Sequence, residues 1–108
     1  MATRATARVY DDDGAEVILT IYKHWDGYPE GFGETLNSIA NRYTLVNGLN
    51  SNDTTGLANG MGCFAASLIK ELKREAGDVY IIREGREEYN YRLKADGNKI
   101  IVTCDEVE

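Results

Sequence analysis

Apolar and polar residues alternate in several segments of the chain, which is the spacing of a half-buried β-strand. The stretch Asp11-Asp12-Asp13-Gly14 separates the first two segments, and Asp96-Gly97-Asn98 separates the last two. Both stretches are typical of tight hairpin turns. The predicted strands cover residues 5–10, 17–22, 79–82, 89–95 and 99–104.

Two other segments have the spacing of an amphipathic helix. The first is predicted over residues 32–43, and the second, with the stronger apolar stripe, over 61–72 before a stop at Gly77. Residues 44–60 between them are rich in Asn, Gly, Ser and Thr and show no period. We expect a single long loop there, and loops of that length in small domains are usually functional or mobile.

The element order is therefore β-β-α-α-β-β-β in one domain over residues 1–108. We expect an α+β fold of two layers, a mostly antiparallel sheet with both helices packed on one face. Hairpin links between the strands require no parallel crossover. A chain of 108 residues can bury such a core without disulfides or metals.

Composition and charge narrow the class of protein. The net charge is −6, which argues against general binding to nucleic-acid backbones. No apolar run approaches the ~20 residues of a membrane span, and the first residues lack the apolar core of a signal peptide. We expect a soluble, cytoplasmic protein in which Cys63 and Cys104 stay reduced as small buried side chains.

Cofactor and metal chemistry find little support in the sequence. One histidine with scattered carboxylates gives no recognisable ligand spacing, so we assign no metal and no cofactor. The three aspartates at 11–13 lack the alternating ligands of a calcium loop and are interpreted as a solvated turn. Gly60-Met61-Gly62 at a helix amino terminus is a weak candidate for holding an anion, against a plain packing or turn role.

The densest chemistry lies in His24-Trp25-Asp26-Gly27-Tyr28-Pro29-Glu30-Gly31, which contains the only histidine, tryptophan and proline of the chain. This segment joins a predicted strand to a predicted helix, a place where rigid elements hold an exposed backbone. If the strand continues, His24 and Asp26 share one face. The candidate residues for binding a ligand or partner are His24, Trp25, Asp26, Tyr28, Glu30, Arg8 and Asn59.

Two alternatives to a binding site stay open for this segment. A small hydrolase or nucleotide-processing enzyme could use His24 with Asp26 or Glu30 as acid and base, but no nucleophile is near and we assign no catalytic residue. The segment could also be purely a folding corner. In that case Trp25→Ala would chiefly destabilise the protein, by ~3 to 5 kcal/mol.

The tyrosines suggest a second surface. Together with Trp25 they can simply cover a sheet face that lacks helices. Alternatively Tyr89, Tyr91, Arg8 and Arg92 form a contact surface, since Tyr, Trp and Arg dominate binding hot spots. A sheet with one open face and short edges is often completed by a second copy, so we expect a homo-oligomer.

The opening Met1-Ala2-Thr3-Arg4 and the string His24-Trp25-Asp26-Gly27-Tyr28-Pro29-Glu30, followed by Gly33 and Leu36, resemble a group of short, uncharacterised proteins encoded by bacteriophages and prophages. The resemblance covers the first third of the chain. It implies a small accessory protein that acts on a host target, by binding a host protein or by sequestering a small nucleotide signal in anti-defence. The function that we expect is therefore that of a non-enzymatic binding protein. The resemblance supplies no catalytic residues.

Overall fold

The computed structural model of the protein describes residues 2–50 and 52–106, apart from the side chain of Glu106. The predicted α+β class is confirmed, since the described residues form two α-helices and seven strands. The elements are β1 Ala5–Tyr10, β2 Val17–Lys23, a π-helical turn Pro29–Gly33, α1 Glu34–Asn41, β3 Thr44–Val46, β4 Leu57–Asn59, α2 Gly60–Leu72, β5 Val79–Ile82, β6 Tyr89–Asp96 and β7 Lys99–Glu106.

The main sheet has five strands in the order β5-β2-β1-β6-β7. Its β1–β2, β2–β5 and β6–β7 pairs are antiparallel, whereas β1 and β6 are parallel. The expectation that no parallel crossover is needed is therefore wrong. β5 and β6 run in the same direction on opposite sides of the β1–β2 pair, so residues 83–88 must cross that pair.

One face of the sheet carries the hydrophobic core. Ala5, Ala7 and Val9 on the central strand β1 are fully buried, and both helical segments pack against this face. Small side chains at the centre of the sheet let the larger ones fill the layer between sheet and helices at interior density. The large core side chains that are essentially fully buried are Tyr91, Phe32, Phe64, Ile21, Leu36, Met61, Leu68 and Leu93.

The first predicted helix divides into two pieces. The chain enters it through the π-helical turn, where Pro29 fits because its missing N–H would have no partner in a first turn. The α-helix itself is shorter than predicted and ends at Asn41. The second helix agrees with the predicted 61–72, beginning one residue earlier at Gly60.

The predicted unbroken loop over residues 44–60 is wrong. It contains β3 and β4, which pair in parallel as a separate two-stranded sheet. Strands of three residues are too short to produce a hydrophobic period. The backbone N–H of Leu45 donates to the carbonyl of Asn98 at 2.8 Å, which ties this small sheet to the β6–β7 hairpin.

Two of the aspartates at residues 11–13, which we interpret from the sequence as a solvated turn, accept hydrogen bonds from backbone amides. Asp11 Oδ1 accepts the backbone N–H of Ala15 at 2.9 Å and closes the hairpin turn. Asp12 Oδ1 accepts the backbone N–H of Met61 at 2.7 Å, at the amino terminus of α2. The anionic group at that helix terminus, for which the sequence offers only a weak indication, is a carboxylate of the chain itself, and it satisfies an unpaired amide at the positive end of the helix dipole. Gly60, at φ +83°, lets the two segments approach.

The second sheet face is crossed by residues 83–88, which we name the crossover loop. The Arg8 guanidinium donates to the carbonyl of Gly85, and the Asn90 side chain exchanges two hydrogen bonds with the backbone of Glu87. Thr6 Oγ1 donates to Asn90 Oδ1 at 2.6 Å. The crossover loop thereby buries Thr6 and Asn90, polar residues on the face away from the core.

The alternative in which Tyr89, Tyr91, Arg8 and Arg92 form one contact surface is wrong. Tyr91 points into the core and is 2% exposed, whereas Arg8 and Arg92, which pair across β1 and β6, lie on the opposite face. Neighbouring residues of a strand face opposite sides, so Tyr91 and Arg92 cannot share a surface.

The expected burial of the two cysteines is also wrong, because both are exposed. Cys63 lies between the buried Met61 and Phe64 but falls outside the apolar stripe of α2. Cys104 lies on β7, which has no neighbour on its outer side in the described sheet.

Removing the Asp12 carboxylate should destabilise the protein. Asp12→Ala leaves the Met61 amide without its acceptor and is expected to lower the free energy of unfolding by about 1 to 2 kcal/mol. Urea unfolding followed by circular dichroism measures this. Asp13→Ala is the matched control, because Asp13 is an exposed aspartate of the same turn for whose side chain no hydrogen bond is described. Equal effects from both substitutions would contradict the capping role.

Candidate functional site

The segment His24–Gly31 forms a sharp corner between β2 and the π-helical turn. β2 ends at Lys23, and Asp26 adopts a left-handed backbone conformation at φ 57°. The condition under which His24 and Asp26 share a strand face is therefore not met. The backbone N–H of Phe32 donates to the carbonyl of Asp26 at 2.8 Å, which closes the corner onto the helical segment.

Asp78, which sequence reasoning missed, holds this corner from outside. Its carbonyl accepts the backbone N–H of His24 at 2.9 Å, and its carboxylate accepts the backbone N–H of Trp25 at 3.0 Å. The same carboxylate pairs with Lys23 Nζ at 2.5 Å. Asp78 thus holds three consecutive residues: its carboxylate contacts Lys23 and Trp25, and its backbone carbonyl contacts His24. Asp78 itself has φ 63°, a conformation that Asp tolerates better than most residues.

The charge of Asp78 is stabilised by these contacts. Burial raises the pKa of its carboxyl, but the hydrogen bonds from Lys23 and from the backbone of Trp25, with the lysine charge, outweigh burial and hold the pKa below its ordinary value of 3.8. The carboxylate is therefore ionised at neutral pH and acts as an acceptor for both donors.

Four rings extend from β5 to the corner, and we name Tyr80, Tyr22, His24 and Trp25 the aromatic row. Successive ring centroids are 6.0, 5.9 and 4.5 Å apart. The hydroxyl of Tyr22 hydrogen-bonds His24 Nδ1 at 2.8 Å, which fixes the imidazole. The outer members remain open to solvent, since Trp25 is 51% and Tyr80 49% exposed.

The backbone at Gly27, within the corner, is held by contacts with buried residues of the sheet. The buried hydroxyl of Tyr91 donates to the carbonyl of Gly27 at 2.7 Å, and burial raises the pKa of Tyr91, so the hydroxyl stays protonated. A Cβ atom on Gly27 would lie 2.7 Å from that of Ala5, which explains why glycine stands there. Gly27 therefore has the structural role that the folding-corner hypothesis assigns to the segment. That hypothesis does not describe Trp25, whose ring is half exposed.

The other candidate residues occupy separate places. Tyr28 donates a long hydrogen bond of 3.4 Å to Asp26 Oδ1, and Glu30 is exposed in the π-helical turn. Arg8 anchors the crossover loop. Asn59 Oδ1 accepts the backbone N–H of Gly48 at 2.8 Å beside α2 and so serves the segment between β3 and β4. The structure thus joins His24 to Trp25 and Asp26 to Tyr28, but Arg8 and Asn59 make their described hydrogen bonds elsewhere.

The described hydrogen bonds of the corner do not pair His24 with the carboxylates expected for acid and base chemistry. Among the hydrogen bonds described, the His24 ring shares one with the Tyr22 hydroxyl, and none joins this imidazole to Asp26 or Glu30. Within residues 2–50 and 52–106, no group of three or more His, Cys, Asp or Glu side chains is arranged to hold a metal ion. The exposed rings and the fixed backbone are features of a recognition surface.

Comparison with protein-family models, curated proteins and solved structures gives no match to this chain. No helix in the described part of the chain is long and apolar enough to cross a membrane. Function is therefore inferred from the chemistry and geometry of the site itself.

Removing the charge of Asp78 should lower stability in a pH-dependent way. Because the folded pKa lies below the unfolded one, the stabilisation is complete above the unfolded value and is lost as pH falls through the folded value. Asp78→Asn keeps a residue that tolerates the left-handed backbone. We expect a loss of about 1 kcal/mol at pH 7, modest because the side chain is a third exposed and partly screened.

Urea unfolding at pH 7 and below pH 3 (roughly one unit under the ordinary aspartate value) measures this effect. The difference between wild type and Asp78→Asn should shrink at the lower pH. Asp96→Asn, at the exposed end of β6, is the control. A difference that stays constant across this range would refute the charge-based account.

Proposed function

We propose that this protein is a non-enzymatic binding protein whose aromatic row contacts a host protein. The observation that carries the proposal is the exposure of Trp25 and Tyr80 on a backbone that Asp78 holds in place. Exposed large aromatic rings are enriched at the centres of protein interfaces, and a prepositioned surface loses little conformational entropy on binding.

The biological context of this proposal comes from the resemblance to phage and prophage proteins. A phage protein of this kind would act in the cytoplasm of the host cell and counter a host defence. The side chains of Cys63 and Cys104 are both exposed, and exposed thiols suit a reducing compartment.

A small nucleotide-like ligand is the second candidate. The exposed rings of Trp25 and Tyr80 are surfaces of the kind on which nucleobases stack. The hydrolase alternative gains less support. The Nδ1 atom of its expected base, His24, already bonds the Tyr22 hydroxyl, and Asp26 bonds Tyr28.

We further propose that the protein forms a homo-oligomer through the outer edge of β5. This strand ends the described sheet, and Ile81 on it is 67% exposed. Beyond Ile82, β5 no longer covers the start of β2, where Val17 and Ile18 are 42% and 45% exposed. An unpaired apolar edge favours pairing with another strand.

A second copy of the chain can pair with this edge in a symmetric way. Antiparallel pairing of two β5 strands about a two-fold axis perpendicular to the sheet keeps like faces on the same side. Tyr80 and Tyr22 lie on the face that carries the crossover loop, by their register with Thr6. The two aromatic rows would then lie side by side on one continuous surface.

Substituting Trp25 should remove binding and spare the fold. Native mass spectrometry of protein purified from host cells, wild type against Trp25→Ala, reports any retained protein or small molecule. We expect the bound partner to be lost, with affinity reduced by about 30-fold or more, as for other hot-spot tryptophans. Stability should fall by less than about 1.5 kcal/mol because the ring is half exposed.

Leu49→Ala is the matched control, since Leu49 is also 51% exposed but lies outside the corner. Retention of the partner by Trp25→Ala, or loss of the partner by Leu49→Ala, would contradict the proposal. A retained nucleotide in place of a protein would favour the second candidate.

A charge on the β5 edge should dissociate the oligomer. Ile81→Lys places a lysine on the edge and is expected to convert the wild-type oligomer to monomer in light scattering coupled to size exclusion. Ile101→Lys, an exposed isoleucine on the opposite edge strand β7, should leave the oligomer intact. A monomeric wild-type protein, or equal dissociation by both variants, would overturn this assembly.

A further inference from the structure

A cleft of about 690 Å³ lies away from the aromatic row, between the end of α1, the segment that leads into β4, and α2. Its volume is within the range of small-molecule sites, roughly 300 to 1,000 Å³. It shares no residue with the aromatic row, so its function can be tested separately.

The walls of the cleft carry positive charge in a chain whose net charge is −6. Arg42 projects from the end of α1 and Lys70 from α2, and both line the cleft. The carboxylate there, Glu71, already accepts the Tyr43 hydroxyl at 3.1 Å and the Arg42 guanidinium at 3.4 Å. Two cationic side chains and one carboxylate therefore line the cleft, and their net charge is positive.

Hydrogen-bond donors remain available to a ligand. Lys70 is exposed, and no hydrogen bond or ion pair is described for its ammonium group, which has three N–H donors. Arg42 uses its Nε and one Nη in long contacts of 3.4 Å to the carbonyl of Ser38 and to Glu71. The hydroxyls of Thr54 and Ser67 line the same space.

Backbone hydrogen bonds hold the wall of the cleft in place. The backbone N–H of Thr44 donates to the carbonyl of Gly56 at 2.8 Å, and that of Leu57 to Thr54 at 3.0 Å. Gly56, at φ +73°, passes so near the end of α1 that a Cβ atom there would lie 3.1 Å from the carbonyl oxygen of Arg42. Glycine suits this position because it adopts a positive φ and lets the two backbone segments approach each other.

We propose that this cleft binds the phosphate group of a small phosphorylated organic molecule, with Arg42 and Lys70 contacting the phosphate. Two cations beside hydroxyl donors match the charge and acceptor oxygens of a phosphate. The space exceeds what a phosphate alone fills, and Tyr43 and Leu57 offer apolar surface for the organic part.

Calorimetric titration with adenosine monophosphate, inorganic phosphate and adenosine tests the proposal. Adenosine monophosphate should bind more tightly than phosphate, and adenosine should not bind. Arg42→Gln with Lys70→Gln is expected to weaken binding about tenfold or more. Lys70→Gln alone should also weaken it, and no described contact of the fold depends on that side chain.

The matched control is Arg83→Gln with Arg86→Gln, which removes the same charge from the exposed crossover loop. In NMR spectra the ligand should shift the amides of residues 54–57 and 67–71. Three results would overturn the proposal: absence of saturable binding at millimolar concentration, equal binding of adenosine and its monophosphate, or equal weakening by the control pair. None of them would bear on the aromatic row.

Discussion

The contacts of Asp78 are the constraint on which the exposed corner depends. One residue, itself in a left-handed conformation, accepts hydrogen bonds from the side chain of Lys23 and from the backbones of His24 and Trp25. Those bonds end β2, turn the chain towards the π-helical turn and leave the rings of the aromatic row in fixed places. The surface is rigid because its support comes from a different part of the chain, the turn between α2 and β5.

Asp12 positions the start of α2 by accepting a hydrogen bond from a backbone amide, as Asp78 positions the corner. Both carboxylates satisfy backbone amides of distant segments, so part of the negative charge of the chain organises the fold. Arg8 and Asn90 hold the crossover loop in a comparable way, by polar contacts to its backbone. The core supplies most of the stability, and these few polar contacts decide how loops and helices are arranged around it.

Sequence periodicity predicted the elements with long apolar patterns, such as α2 and the strands that carry Ala5, Ala7 and Leu93. It failed for β3 and β4, because three residues cannot show a period, and for the parallel β1–β6 pair, because pairing is a non-local property. The unusual composition around Trp25 identified the corner. Asp78 and the Arg42–Lys70 cleft were missed, since each brings together residues that are far apart in sequence and ordinary in type.

The central claim is that the ring of Trp25 is the contact surface of a prepositioned corner. Because the chain has one tryptophan, fluorotryptophan labelling gives a single fluorine NMR signal from that ring. The most direct measurement follows this signal in labelled protein alone and with cytosol of the proposed bacterial host. The predicted result is a single sharp line that shifts or broadens with cytosol, in wild type and in Leu49→Ala, but not with cytosol depleted over immobilised wild-type protein. Several lines in the free protein, or a line unchanged by cytosol, would contradict the account.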